Sequence, residues 1–387
     1  MKKGLIIIGC IGILLFSLVF GLKKYALFVA SNKISDILFS KNGGETKQQF
    51  LPKAEKGVAT SEEGKDYKIF NENQNWFKKQ IELGKVENWE QETTETYNSP
   101  DGLSTKKVKH SIKLNAYYLK NENDTKKTVI IAHGFGLSGD QYGAWAKMYY
   151  DLGYNVLLPD ARAHGKSQGD YISFGLQEKY DYTNENGWIN QTIQKVGNDS
   201  EIYLHGGSMG AATMMMVSGE SLPSNVKLLI EDCGYSDLNI PIRNLNKSIL
   251  KQLENNGGKF EIKRSLLGLD VNFSIKENDI NYVFNQLLHV FNQRYALSKE
   301  DSEVFKYVSA RKAMSTTKLP VLFIHGQSDT LVPFEQTTSA LIESKKNNKN
   351  NSNYKIYFPS MANHGASIKI DYQKYKDAIQ EFIGENT

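Results

Sequence analysis

Ser208 stands at the centre of Gly206-Gly207-Ser208-Met209-Gly210; Asp329 closes His325-Gly326-Gln327-Ser328-Asp329, and His364 lies in Asn363-His364-Gly365. A serine, an aspartate and a histidine are the parts of acyl transfer: a hydroxyl that attacks, an imidazole that takes its proton and a carboxylate that orients the imidazole. The reaction also needs hydrogen-bond donors where the oxyanion forms. His133-Gly134-Phe135-Gly136 follows an apolar run, and its glycines let the backbone approach a substrate oxygen, so the Phe135 N–H can be one donor. The Met209 N–H, next after the serine, can be the other. Asp232 also ends an apolar run and competes with Asp329 as the acid. A second GxSxG, Gly165-Lys166-Ser167-Gln168-Gly169, opens into polar residues, and Ser167 reads as a loop hydroxyl. Of the seven histidines only His364 lies beyond Asp329. His133, His205 and His325 sit before glycines at strand ends and read as hydrogen-bonded loop or core residues. His110, His164 and His289 have strand, turn and cap contexts. No short His/Asp/Glu spacing suggests a metal site, and no cofactor is expected.

The elements that must hold these groups are legible around them. The apolar run Ile202–Leu204, the glycine-rich turn and the small apolar residues after Met209 predict a strand, a tight turn and a buried helix, with Ser208 strained and projecting at the corner. Val129–Ala132, Asn155–Leu158, Val226–Ile230, Val321–Ile324 and Tyr354–Phe358 are further apolar strands separated by helical segments, the pattern of a parallel sheet covered on both faces. Glu92–Tyr97 and Lys107–Leu119 predict strands joined by a turn at Ser99-Pro100-Asp101-Gly102. Trp76, Phe77, Ile81 and Leu83 predict a short amphipathic helix packed on the main domain. Between about 237 and 301 the strand rhythm stops, and the segment reads as an inserted helical cap. In it Phe284, Leu287, Leu288 and Phe291 form an apolar stripe that either lines an acyl pocket or packs within the cap. Phe284, Leu288 and Phe291 are the candidate substrate contacts.

At 387 residues the chain can hold one large domain and appendages, and a net charge of only +4 with scattered lysines excludes a nucleic-acid footprint. Two cysteines, Cys10 and Cys233, exclude a disulfide framework. Gly4 to Leu22 is a charge-free run of nineteen residues, about 28 Å as a helix, long enough for a hydrocarbon core of roughly 30 Å. Three readings compete for it. An uncleaved signal anchor is favoured by its length; a cleaved signal peptide would use Val29-Ala30-Ser31; a lipobox at Ile7-Ile8-Gly9-Cys10 has too little apolar sequence before it. The organisation read from the chain is therefore a membrane anchor or signal segment at 1–24, a polar linker with a short helical extension at 25–95, and a catalytic domain at 96–387. The short basic start places that domain outside the cytoplasmic membrane as a single-pass membrane protein.

His133-Gly-Phe-Gly, Asp160-Ala-Arg-Ala-His164-Gly-Lys-Ser167, Gly206-Gly-Ser-Met-Gly, His325-Gly-Gln-Ser-Asp329 with Val332-Pro333, and Asn363-His364-Gly together resemble an α/β-hydrolase of the bacterial, membrane-anchored, esterase-like kind, over roughly Tyr97 to Ile383. The resemblance implies a mostly parallel sheet with helices on both faces, a structural turn at Asp160–Ser167, and a Ser208, Asp329, His364 triad. Ala163 departs from it, since many relatives carry glycine there. The favoured activity is hydrolysis of a small carboxylic ester. A serine peptidase of related fold would need Arg294, Glu300 or Asp301 to hold a peptide terminus, and a membrane-tethered binding module with a relic triad is the non-enzymatic alternative.

Overall fold

The computed structural model describes residues 23–25, 27–41, 66–101, 104–255, 276–296 and 307–387. Eight segments in which apolar side chains dominate or alternate form one sheet: β1 (Val86–Asp101), β2 (Ser104–Leu119), β3 (Lys127–Ala132), β4 (Asn155–Pro159), β5 (Glu201–Gly207), β6 (Val226–Asp232), β7 (Val321–Ile324) and β8 (Tyr354–Tyr357). Their order is β1-β2-β4-β3-β5-β6-β7-β8. β1 runs antiparallel to β2, and β2 to β4, while β4, β3 and β5 to β8 are parallel. The expected strands are all present. The first pair is longer than expected, because pairing continues out to Asp101↔Ser104, into residues that read as turn.

Helices cover both faces. They are α1 (27–39), α2 (Tyr67–Glu82), α3 (Gly143–Asp151), α4 (Glu178–Thr183), α5 (Trp188–Val196), α6 (Met209–Ser218), α7 (Asn239–Asn255), α8 (Glu277–Tyr295), α9 (Ala310–Met314), α10 (Phe334–Lys346), α11 (Ser367–Ile370) and α12 (Tyr372–Asn386). On one face, side chains of α1, α6, α7 and α8 share a core with Ile130, Leu204 and Leu229. On the other, α2, α3 and α12 cover Val129, Ile131 and Ile230. Both faces are closed, which is why β4 and β5 read as nearly unbroken apolar runs.

The N-terminal region departs from the linker reading. Residues 27–39 are helical, and Leu27, Ala30, Ile34, Leu38 and Phe39 are buried; their spacing puts the first four on one helix face. The Phe39 carbonyl accepts from the Ile172 amide at 2.8 Å, the Lys41 amide donates to the Asp170 carbonyl at 3.0 Å, and Lys23 Nζ pairs with Asp279 at 2.7 Å. Asn32, Lys33 and Asp36 lie exposed between the apolar positions, and the polar sequence that follows the helix masks the stripe in the composition. The Gly4–Leu22 run, residues 42–65 and the middle of the expected cap lie outside the described residues. Among the described residues no helix is long and apolar enough to cross a membrane. The expected cap is represented by α7 and α8.

Candidate active site

β5 ends at Gly207 and α6 begins at Met209, so the whole change of direction falls on Ser208, which holds φ 53° and ψ −116°. A non-glycine residue there is strained by about 1–3 kcal/mol, and the surrounding packing must hold it. Glycines make that packing possible: a Cβ on Gly210 would sit 2.1 Å from the Ala132 carbonyl oxygen, and one on Gly206 2.4 Å from the Gly210 backbone. The Ser208 amide donates to the Asp232 carbonyl at 2.8 Å, which fixes the corner against β6.

From this corner Ser208 Oγ reaches His364 Nε2 at 2.7 Å, and His364 Nδ1 reaches Asp329 Oδ2 at 2.7 Å. A carboxylate on Nδ1 requires the proton there, leaving Nε2 to accept from the serine hydroxyl. Asp329 is buried in the turn after β7, where Oδ1 accepts the Leu331 and Val332 amides at 2.9 and 2.8 Å. Burial alone would raise its pKa, but the His364 charge and hydrogen bonds from His325 and His364 hold the carboxyl well below the usual range. His364 shows the converse: burial pushes it down, yet the Asp329 charge and hydrogen bond outweigh that and raise it above the ordinary histidine value.

Asp232 is turned elsewhere. Its Oδ2 accepts from the Tyr375 hydroxyl at 2.8 Å, and burial pushes its pKa up to about 6. Tyr375 also receives the Trp145 indole N–H at 3.0 Å and lies 3.3 Å from His205 Nε2, whose ring burial lowers to about 3 and keeps neutral. This buried set braces the β5 and β6 ends beneath Ser208. Nothing in the sequence announces it, because Tyr375 arrives from the last helix.

Met209 follows Ser208 directly, and the loop before Phe135 approaches it from β3: a Cβ on Gly134 would sit 3.5 Å from Ser208 Cβ. Met209 is the first residue of α6, so its amide belongs to those at a helix N-terminus that have no intrahelical acceptor. The loop carrying Phe135 is held by two histidines: His133 Nε2 accepts the Ala161 amide at 2.9 Å, and His164 Nε2 accepts the Gly136 amide at 3.1 Å. The Tyr142 hydroxyl accepts the Gly134 amide at 3.0 Å, a support the sequence reading did not single out. Phe135 stacks on Phe174 with ring centres 5.5 Å apart. Ser167 is fully buried, donates to the Asp160 carbonyl at 2.7 Å and accepts the Asn115 amide at 2.9 Å, the bonding of a turn residue. Ala163 has φ 57°, the left-handed conformation for which glycine is the easier choice.

Among the described residues the side chains of the cap stripe pack inward. Phe284, Leu287 and Phe291 are buried, and Leu288 packs partly buried against the same core. Phe291 lies 5.6 Å from Phe39 of α1 and 6.5 Å from Phe174, ring centre to centre, and Phe284 lies under the Arg243 guanidinium at 4.8 Å. Phe39 of α1 and Phe174 supply the surface that Phe291 covers. A cavity of about 1020 Å³ opens instead between the β1–β2 hairpin and α4, lined among others by Thr94, Lys109, Gln177, Tyr180 and Tyr295, and none of Ser208, Asp329 or His364 lines it.

The family model described as Serine aminopeptidase, S33, matches residues 123–358, the stretch from just before β3 to just after β8. A relative from Bacillus subtilis, described as an uncharacterized protein YqkD, is 26% identical over 261 residues, 67% of this chain and 72% of that one. Among solved structures, the Pyrococcus furiosus esterase Pf2001 superposes with a TM-score of 0.52 at 21% identity, covering 79% of this chain and 94% of its own, a likeness of fold.

Proposed function

The chain belongs to the serine aminopeptidase S33 family and is a serine hydrolase of α/β-hydrolase fold; from that footing we propose that it cleaves small carboxylic esters through an acyl-enzyme on Ser208. The observation that carries the proposal is the unbroken chain from Ser208 Oγ through His364 to Asp329, both links at 2.7 Å, on a strained corner. Ser208 Oγ bonds to the ester carbonyl carbon as its proton passes to His364 Nε2, and the carbonyl oxygen takes the negative charge, facing the Phe135 and Met209 amides. Collapse of that adduct breaks the bond to the alcohol oxygen, which leaves with the proton from His364. Water then repeats the sequence on the acyl-enzyme, giving the acid and free serine. Asp329 stays ionised throughout and stabilises the imidazolium.

A peptidase reading is favoured by the family's description alone. Of the cap residues considered for a peptide terminus, Arg294 lies with its guanidinium 3.8 Å from the Tyr171 ring and its Nη1 buried; Glu300 and Asp301 are outside the described residues. A panel of p-nitrophenyl esters beside aminoacyl-p-nitroanilides, with fluorophosphonate labelling, separates the readings. Ester turnover should exceed anilide turnover. The reverse order would establish the peptidase, and no labelling at all would leave the binding module.

A raised His364 pKa has a kinetic consequence. The protonated ring cannot accept the serine proton, so kcat/KM should fall as pH drops through a value above 6.5, the ordinary histidine pKa. In Asp329→Asn the carboxylate that raises it is gone, and the limb should move down. An acid limb at or below 6.5 in the unaltered protein would contradict this account of the His364 environment.

We further propose that Gly4–Leu22 tethers the domain to the cytoplasmic membrane on its outer side. Protease added to intact, wall-stripped cells should digest the domain. Survival there with digestion after lysis would put it in the cytoplasm.

A further inference from the structure

Away from Ser208, three side chains from three segments converge at the edge of the sheet: Glu95 of β1, His110 of β2 and Asp170 of the loop after β4. Their ligand atoms all lie within 4.8 Å of one another, with His110 Nε2 at 3.4 Å from Glu95 Oε2 and 3.9 Å from Asp170 Oδ2. A tetrahedral ion with bonds of about 2.0–2.1 Å separates its ligands by about 3.3–3.4 Å. The two edges from His110 are close to that, the third lies within 4.8 Å, and β-strand pairing of Glu95 directly opposite His110 holds the shortest one.

The surroundings supply what a metal centre needs beyond its ligands. Glu95 is 1% exposed, and its oxygens are aimed by the amides of Asp170 and Tyr171 at 2.9 and 3.1 Å. The Tyr97 hydroxyl donates to Asp170 Oδ2 at 2.7 Å, the oxygen that faces His110, and holds that carboxylate in place. The His110 and Asp170 side chains are 39% and 56% exposed, which leaves the fourth position open to water and to an arriving ion.

We propose that Glu95, His110 and Asp170 form a binding site for a divalent transition-metal cation of the zinc type, with three protein ligands and one water. The expectation of no metal site rested on spacing along the chain, and these ligands meet only when the hairpin and the loop fold together. A metal there ties the β1–β2 hairpin to the segment on which α1 docks through Asp170 and Ile172. The proposal is independent of the ester reading.

The test is a titration of the full chain, stripped with chelator, with Zn²⁺, followed by calorimetry and thermal melting. One ion should bind and raise the melting temperature; His110→Ala should abolish both effects while keeping ester turnover and the circular dichroism of the fold. Tyr97→Phe should weaken binding by about tenfold to a hundredfold. Cys233, Asp329 and His364 form another set of convergent donor atoms, so His364→Ala is the control and should bind as the unaltered chain does. Retained binding in His110→Ala, loss in His364→Ala instead, or no binding at millimolar Zn²⁺ each overturns the site.

Discussion

Ser208→Ala should lower kcat by roughly a millionfold and abolish fluorophosphonate labelling, with the fold intact. The size follows from the role: without the hydroxyl no acyl-enzyme forms, and what remains is binding and the oxyanion donors. Folding should survive because alanine keeps the Cβ that already occupies the φ 53° corner, and Ser208 Oγ reaches His364 rather than a structural partner. Ser167→Ala is the matched control. It leaves the Asn115 amide without its acceptor, costing about 1–3 kcal/mol, and should label normally. Labelling that persists in Ser208→Ala and disappears in Ser167→Ala would move the nucleophile to the other GxSxG.

Asp329→Asn should lower kcat by about ten thousandfold, with substrate binding little changed. An asparagine amide retains an oxygen for the Leu331 and Val332 amides, so the turn after β7 persists. Either amide orientation facing His364 fails to hold an imidazolium, and a donor facing Nδ1 favours the wrong tautomer. Asp232→Asn makes the opposite case. Its partner is Tyr375, and its chemical link to His364 is through space alone, so the expected loss is in stability rather than in kcat. If Asp232→Asn were the crippling change and Asp329→Asn nearly silent, the acid would belong to β6.

Most of this was legible because each triad candidate adjoins a strand end. Ile202–Leu204, Val321–Ile324 and Tyr354–Phe358 are apolar runs that leave little choice of structure, and the residues just beyond them fall along one edge of a parallel sheet. The choice of Asp329 over Asp232 was the weak point, since both follow strands; it turns on Tyr375, which α12 delivers from the far end of the chain. α1 was hidden for a different reason. Its apolar positions are regular, but Ser31, Asn32, Lys33, Ser35 and Asp36 interrupt them and a long polar stretch follows, and its partners Phe174 and Phe291 come from distant parts of the chain. The apolar stripe of the cap left two readings open, a pocket wall or internal packing, because its spacing alone does not name the neighbour; Phe39 of α1 and Phe174 are what Phe291 packs on. The Glu95, His110 and Asp170 convergence has no local signature at all.

That α1 is embedded bears on where the chain can be shortened. A soluble fragment designed from composition would start near residue 66, or at Ser31 after the small-residue pair Val29-Ala30. The first start discards a buried helix and uncovers Phe174 and Phe291; the second removes Leu27 and Ala30 from the core and the Lys23 to Asp279 pair. Leu27 alone represents about 1.5–3 kcal/mol of burial. A start at Lys23 keeps all of these, so fragments beginning there should remain monodisperse on a sizing column where those beginning at residue 66 aggregate through the face left bare.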